Sequence, residues 1–177
     1  MKRASIKEQK LNAIYSAFTD LVNEIGYEKL TTRLVAKQAG VSIGTVYYYF
    51  PDGKAAIAAG LYEKNLSAQL ENMQLDLRTQ ISRSLSLHKE HKELYRAFDQ
   101  AIYARKDIFL GLKNRRDSGM KDEISGEDIS IDVVLRMNGT VDALIHRHLF
   151  IEPMFETDEE LVDYLTVLAT ASYNYLK

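Results

Sequence analysis

Apolar positions recur at threes and fours along most of this chain, and strand-like alternation is scarce. From Ile6 to Ile25, the residues Ile6, Leu11, Ile14, Tyr15, Phe18, Leu21, Val22 and Ile25 fall on one face of an amphipathic helix. Gly26 follows the last periodic position, where a left-handed residue closes a helix, and Tyr27 can pack back over the last turn. Thr31 predicts the cap of a short second helix with Val35, Ala36 and Ala39 facing inward. In Ala39-Gly40-Val41-Ser42, Gly40 allows a tight turn and Ser42 can cap a third helix. Two short helices joined by a tight glycine turn make a helix-turn-helix candidate.

Proline stands only at 51 and 153. Pro51 stops the third helix, and Pro51-Asp52-Gly53 reads as a turn. A fourth helix is expected from about Lys54 through Ala56, Ile57, Leu61, Leu66 and Leu70, with helical patterning continuing to about Leu112. The almost wholly polar stretch Lys113 to Glu123 reads as an exposed loop. Ser125 with Asp128 resembles a capping box opening a helix through Val133, Val134, Met137, Val141, Leu144, Ile145 and Leu149. Thr157 with Glu160 is a second box, opening a helix through Leu161, Tyr164, Leu165, Leu168 and Tyr175. The expected fold is all-α.

A length of 177 residues, with 46% hydrophobic and 27% charged residues, fits an ordinary globular protein of one large or two small domains. No apolar run approaches the ~20 residues needed to span a bilayer. The basic N-terminus has no apolar stretch behind it, so a cytoplasmic protein without a signal peptide or membrane partner is expected. The absence of cysteine excludes disulfides and thiolate zinc sites. Charge is uneven: through residue 54 eight basic residues stand against five acids, a surplus of three, and the net −2 of the whole leaves −5 for the remainder. A basic head on an acidic body suits phosphate contact at one end.

The run from Leu30 to Phe50, Leu-Thr-Thr-Arg-Leu-Val-Ala-Lys-Gln-Ala-Gly-Val-Ser-Ile-Gly-Thr-Val-Tyr-Tyr-Tyr-Phe, resembles the DNA-binding signature of the TetR family. It has the capping Thr, the Val-Ala pair, Ala-Gly-Val-Ser, Gly-Thr, the aromatic run and a downstream Lys. The resemblance covers about the first third of the chain. One departure is visible: three residues, Pro51, Asp52 and Gly53, separate Phe50 from Lys54, where the common pattern has two.

A recognition helix must offer small or planar side chains from its first half to the major groove. Ser42, Ile43, Gly44 and Thr45 occupy that half. Gly44 lets the backbone come close to DNA, Thr45 can hydrogen-bond a base or phosphate, and Ile43 can touch a thymine methyl. Tyr47, Tyr48 and Tyr49 are consecutive and fan out at ~100° steps, so they cannot all enter one core. An isolated tyrosine triplet is ordinarily packing; the surrounding signature makes DNA contact the expectation here. By resemblance, Tyr47 and Tyr49 donate hydroxyls to phosphates, Tyr48 lies against the groove, and Val46 and Phe50 turn inward. Arg33 can reach a guanine edge or lie on solvated surface, Thr31 and Thr32 stand where a helix start faces phosphate, and Lys54 is expected to contact the backbone. Lys2, Arg3, Lys7 and Lys10 are either looser phosphate contacts or a solvated face.

The resemblance implies a head at 1–54 and an effector-binding and dimerisation body at 55–177. It further implies a palindromic double-stranded DNA operator, a homodimer formed through the last two helices, repression, and release by a small-molecule effector. Gly139 and Ala143, four apart, permit close helix packing. Tyr95, Phe98, Tyr103, Phe109, Arg136 and Asn138 are candidates for an effector pocket, with core packing as the competing account of the aromatics. His88 and His91, three apart in a Lys/Glu-rich stretch, read as a solvated helical surface rather than a metal site. His146 and His148, two apart, point to different sides of a helix. No nucleophile motif or phosphate loop is present, so no catalytic residue, cofactor or metal is assigned and the chain is not read as an enzyme. Two rivals are a same-fold DNA-binding protein controlled by a protein partner, and a helical enzyme or metal-binding protein whose head is incidental.

Overall fold

The computed structural model describes residues 5–70, 76–111 and 131–176, and among the described residues there is no strand. The elements are α1 (Ile6–Lys29), α2 (Thr32–Gln38), α3 (Ile43–Tyr49), α4 (Lys54–Leu70), α5 (Leu77–Glu90), α6 (Lys92–Ala104), α7 (106–111), α8 (Ile131–His146) and α9 (Asp158–Leu176). The expected all-α fold is what the chain adopts. The described residues divide into two compact units, one within Met1–Ala68 and Glu93–Leu112, the other within Gln69–Lys92 and Lys113–Lys177. The first unit holds α1 to α3, most of α4, α6 and α7.

In the first unit, α1 begins with a capping box that the reading from sequence passed over. The Ser5 hydroxyl accepts from the Glu8 amide, and the Glu8 carboxylate accepts from the Ser5 amide. Ile14, Ala17, Phe18, Leu21 and Val22 are buried along the expected face, whereas Ile6, in the first turn, is 73% exposed. Gly26 takes a left-handed φ of 77°, as expected of a helix stop. The helical trace then resumes to Lys29 across this kink. The kink turns Tyr27 into the core, edge-on to Phe18 with ring centroids 6.3 Å apart.

Helices α1, α3 and α4 pack around Tyr15, Phe50 and Gly60. The Tyr15 and Phe50 rings meet edge to face at 5.5 Å, over a helical glycine in α4 where an added Cβ would lie 2.5 Å from the Tyr15 hydroxyl. Further along, Tyr62 of α4 meets Phe98 of α6 at 5.5 Å and Phe109 of α7 at 5.9 Å. Leu94, Tyr95, Ala97, Phe98 and Ala101 make α6 a buried element of this unit.

In the second unit α5, α8 and α9 pack on one another. Their core is Ile81, Leu85, Val141, Ile145, Leu161, Val162, Leu165 and Ala169. The capping box at α9 has both halves: the Thr157 amide donates to the Glu160 carboxylate at 3.1 Å, and the Glu160 amide to the Thr157 hydroxyl at 3.2 Å. A single π-helical turn, Arg147–Ile151, follows α8 directly. The polar stretch 113–123 and the Ser125–Asp128 box lie outside the described residues.

Candidate nucleic-acid interface

The head is assembled by side-chain caps. The Thr31 hydroxyl accepts from the Leu34 amide at 3.2 Å and opens α2. Ala39 and Gly40 close α2, with Gly40 at φ 66°, and the Val41 amide returns to the Ala36 carbonyl. Ser42 opens α3 by accepting from the Thr45 amide at 3.0 Å. Val35, Ala36, Val46 and Phe50 are buried, each large one contributing about 1.5–3 kcal/mol of apolar transfer, and Ala39 is half-buried. Val46 and Phe50 therefore take the inward places expected of them.

The opposite side of α3 is open to solvent. Ser42 and Gly44 are exposed, Ile43 is 40% exposed, Tyr47 49% and Tyr48 79%, and Thr45 and Tyr49 are half-buried. Tyr48 and Tyr49 contact each other edge-on at 5.0 Å. The Ser42 and Thr45 hydroxyls lie 2.9 Å apart; one donates to the other, so the pair keeps one O–H for an outside acceptor. A Cβ on Gly44 would meet only the Ser42 Oγ, at an ordinary 3.7 Å. Nothing in the fold therefore requires glycine there.

Arg33 and Thr31 are exposed at the start of α2. Thr32 is half-buried, and its hydroxyl accepts from the backbone amide of Lys54 at 3.2 Å. The turn Phe50 to Gly53 is closed by the Gly53 amide on the Phe50 carbonyl, with Gly53 at φ 62°, where an added Cβ would lie 2.6 Å from the Thr32 hydroxyl. This three-residue spacer delivers Lys54 to a particular place. Its ammonium donates to the Tyr27 carbonyl at 2.9 Å and the Glu28 carbonyl at 3.3 Å, and lies 4.4 Å from the Tyr27 ring centre. Desolvation lowers the Lys54 pKa, and the Glu28 carboxylate partly opposes that shift. In this arrangement Lys54 fastens the end of α1 to the start of α4, a role that its place in the signature did not suggest. Lys7 and Lys10 are exposed, and Lys2 and Arg3 lie outside the described residues.

The candidate effector residues fall in both units. Tyr95, Phe98 and Phe109 are buried core of the first unit, and Tyr103 on α6 is 90% exposed. Arg136 is exposed and Asn138 half-buried on α8, in the second unit. A cleft of about 240 Å³ in that unit is lined by other residues, among them Arg78, Ser82, Asp158 and Glu159.

The histidines correct the reading of a solvated surface. His91 is exposed, but His88 is fully buried, and its Nε2 lies 3.0 Å from His146 Nε2 and 3.1 Å from Asp142 Oδ1. Position 88 falls on the face of α5 that carries Ile81 and Leu85 into the core, and that outweighs the polarity of its neighbours. His148 faces elsewhere, as expected, accepting from the Met154 amide at 3.0 Å. The signal that could have found the cluster is the i,i+4 spacing of Asp142 and His146.

Two short helices about a glycine turn, the second anchored by Val46 and Phe50 and displaying an exposed polar and aromatic side, define a helix-turn-helix module. Residues 14–61 match the family model described as bacterial regulatory proteins, tetR family. The chain is 33% identical over 72 residues to the fatty acid metabolism regulator protein of Bacillus subtilis (strain 168), covering 41% of this chain and 37% of that protein. It is 31% identical over 112 residues to the nucleoid occlusion factor SlmA of Mannheimia succiniciproducens, covering 60% and 46%. The chain thus spans less than half the length of these curated relatives. Its fold is similar to a TetR transcriptional regulator from Rhodococcus sp. RHA1, with a TM-score of 0.67 at 15% identity over 92% of this chain and 93% of that one. A TetR-family transcriptional regulator from Streptomyces coelicolor is similar with a TM-score of 0.57 at 25% identity, over 94% and 96%. Residues 14–61 are thus similar to the tetR family of bacterial regulatory proteins, and the fold is similar to that of solved TetR structures. Among the described residues no helix is long and apolar enough to cross a membrane.

Proposed function

We propose that this protein is a sequence-specific DNA-binding regulator that acts as a dimer on a palindromic operator. The observation that carries the reading is the two-sidedness of α3: Val46 and the following Phe50 are locked in the core while Ser42, Ile43, Gly44, Tyr47 and Tyr48 face solvent. Seated in a major groove, Ile43, Gly44 and Thr45 meet base edges, Arg33 meets a guanine, and Thr31, Thr32, Tyr47 and Tyr49 meet flanking phosphates. Lys54 supports this surface from behind through Tyr27 and Glu28.

Dimerisation through α8 and α9 is supported by what those helices leave outward. On α9, Tyr164, Val167 and Tyr175 are 44%, 70% and 88% exposed. On α8, Gly139 and Ala143 are exposed one turn apart, and a Cβ on Gly139 would touch nothing. Apolar side chains on one helix and small residues on the other suit pairing with a second copy, and a two-fold dimer matches a palindrome. Repression, and release by a small-molecule effector, belong to the same reading. In the second reading, control comes from a protein partner; the exposed stripe of α9 favours it if it does not bury against another copy.

Selection of genomic fragments by the purified protein tests the reading, repeated with Arg33→Ala, Thr45→Ala and Tyr47→Phe at two salt concentrations. A palindromic motif blurred by Arg33→Ala or Thr45→Ala is the expected result, each lost base contact costing about 1–3 kcal/mol of discrimination. Sequence-blind binding that simply fades with salt would overturn it.

A further inference from the structure

We infer that His88, Asp142 and His146 form a binding site for a divalent first-row transition cation of the zinc class. This does not depend on the DNA-binding reading. Their donor atoms, one from each side chain, all lie within 4.8 Å of one another. The separations are 3.0 Å between the two Nε2 atoms, 3.1 Å from His88 Nε2 to Asp142 Oδ1, and 3.9 Å from His146 Nε2 to Asp142 Oδ2. Ligands at about 2.0–2.1 Å from a tetrahedral zinc stand roughly 3.3 Å apart; the two His88 separations are close to that, and a turn of the Asp142 carboxylate brings one of its oxygens toward both imidazoles.

The tautomer of His88 makes the case sharper. Its Nδ1 is 2.7 Å from the Ser84 carbonyl oxygen, a contact that only an N–H can make. With Nδ1 turned to that carbonyl, Nε2 is the His88 nitrogen that faces the His146 imidazole and the Asp142 carboxylate. One divalent cation satisfies all three donors at once. The Ser84 carbonyl then serves as the outer partner that orients a ligating histidine.

The site is also built for access. His88 is buried against the core, the His146 side chain is 14% exposed and Asp142 40% exposed, so the carboxylate side opens to water and leaves coordination positions for solvent. Asp142 and His146 share one face of α8 at i,i+4, and His88 comes from α5, so an ion ties two elements of the same unit. Two imidazoles with one carboxylate select zinc, nickel, cobalt or ferrous ions over magnesium and calcium.

The test uses the full chain, free of any affinity tag and stripped with chelator, titrated with Zn²⁺ by calorimetry and with Co²⁺ by visible absorption. The expected result is one Zn²⁺ per chain and a Co²⁺ ligand-field band. Asp142→Asn and His146→Gln each weaken binding at least tenfold, and His91→Ala leaves it unchanged. Far-UV circular dichroism and melting of the stripped variants match stripped wild type, which separates loss of a ligand from loss of fold. No stoichiometric binding by wild type overturns the proposal. So does binding that survives both Asp142→Asn and His146→Gln, or binding abolished by His91→Ala.

Discussion

Gly60 of α4 leaves room for the hydroxyl of Tyr15 on α1: a Cβ there would stand 2.5 Å from that oxygen and 3.4 Å from the Phe50 ring. Helix propensity alone favours alanine over glycine by about 1 kcal/mol. Overpacking against a ring already wedged on Phe50 costs about 1–3 kcal/mol and wins. Gly60→Ala is therefore expected to lower the urea midpoint at unchanged slope, and Tyr15→Phe in the same chain to restore part of the loss. An unchanged or higher midpoint for Gly60→Ala would mean that α4 shifts freely on α1.

Gly44 is the opposite case, since its added Cβ would make only an ordinary 3.7 Å contact with the Ser42 Oγ. Gly44→Ala is expected to leave stability unchanged or raise it by about 0.5 kcal/mol. If the backbone of α3 comes close to DNA at this point, the same change lowers operator affinity at least tenfold in a gel-shift or anisotropy titration. A variant that binds as wild type would remove Gly44 from the contact surface.

Two phenols are expected to ionise late. Burial pushes the Tyr15 hydroxyl above its ordinary value of 10.0, helped by the Glu63 carboxylate, and burial alone raises Tyr27. The raised value favours the neutral phenol in the folded state. That stabilisation is fully present below 10.0 and is lost as pH climbs through the higher folded value. An ultraviolet phenolate titration of the native protein should show a late component that Tyr15→Phe and Tyr27→Phe each diminish. A titration finished by the ordinary value would contradict the burial of both rings.

Val167 on α9 is 70% exposed. Val167→Glu is expected to change protomer stability by no more than about 0.5 kcal/mol. It should also shift sedimentation from dimer to monomer, with operator binding falling in parallel. Retention of the dimer would move the interface away from this stripe.

The caps and inward residues of the head were legible in the sequence because each is a local choice: Thr31 and Ser42 before their helices, Gly40 in the turn, Val46 and Phe50 opposite the tyrosines. The α9 box was legible for the same reason. Lys54 was harder, since its partners stand 26 and 27 positions away, and nothing in its own neighbourhood says that it will meet the end of α1. His88 was missed because the Lys/Glu residues around it dominate the local pattern, while its burial depends on α8 lying against α5. Tyr103 is exposed because α6 buries Leu94, Tyr95, Ala97, Phe98 and Ala101, and position 103 falls off that face.

Lys54 grips Tyr27 and Glu28 through its ammonium and Thr32 through its own amide, so the first turn of α4 is pinned to the ends of both α1 and α2. Three tethers at one residue leave little slack. A push on the start of α4 is delivered to both neighbours in the same stroke, as by a crank keyed to its shaft. Cutting the side-chain tethers with Lys54→Met loosens the key: the head then keeps its shape yet follows α4 with backlash.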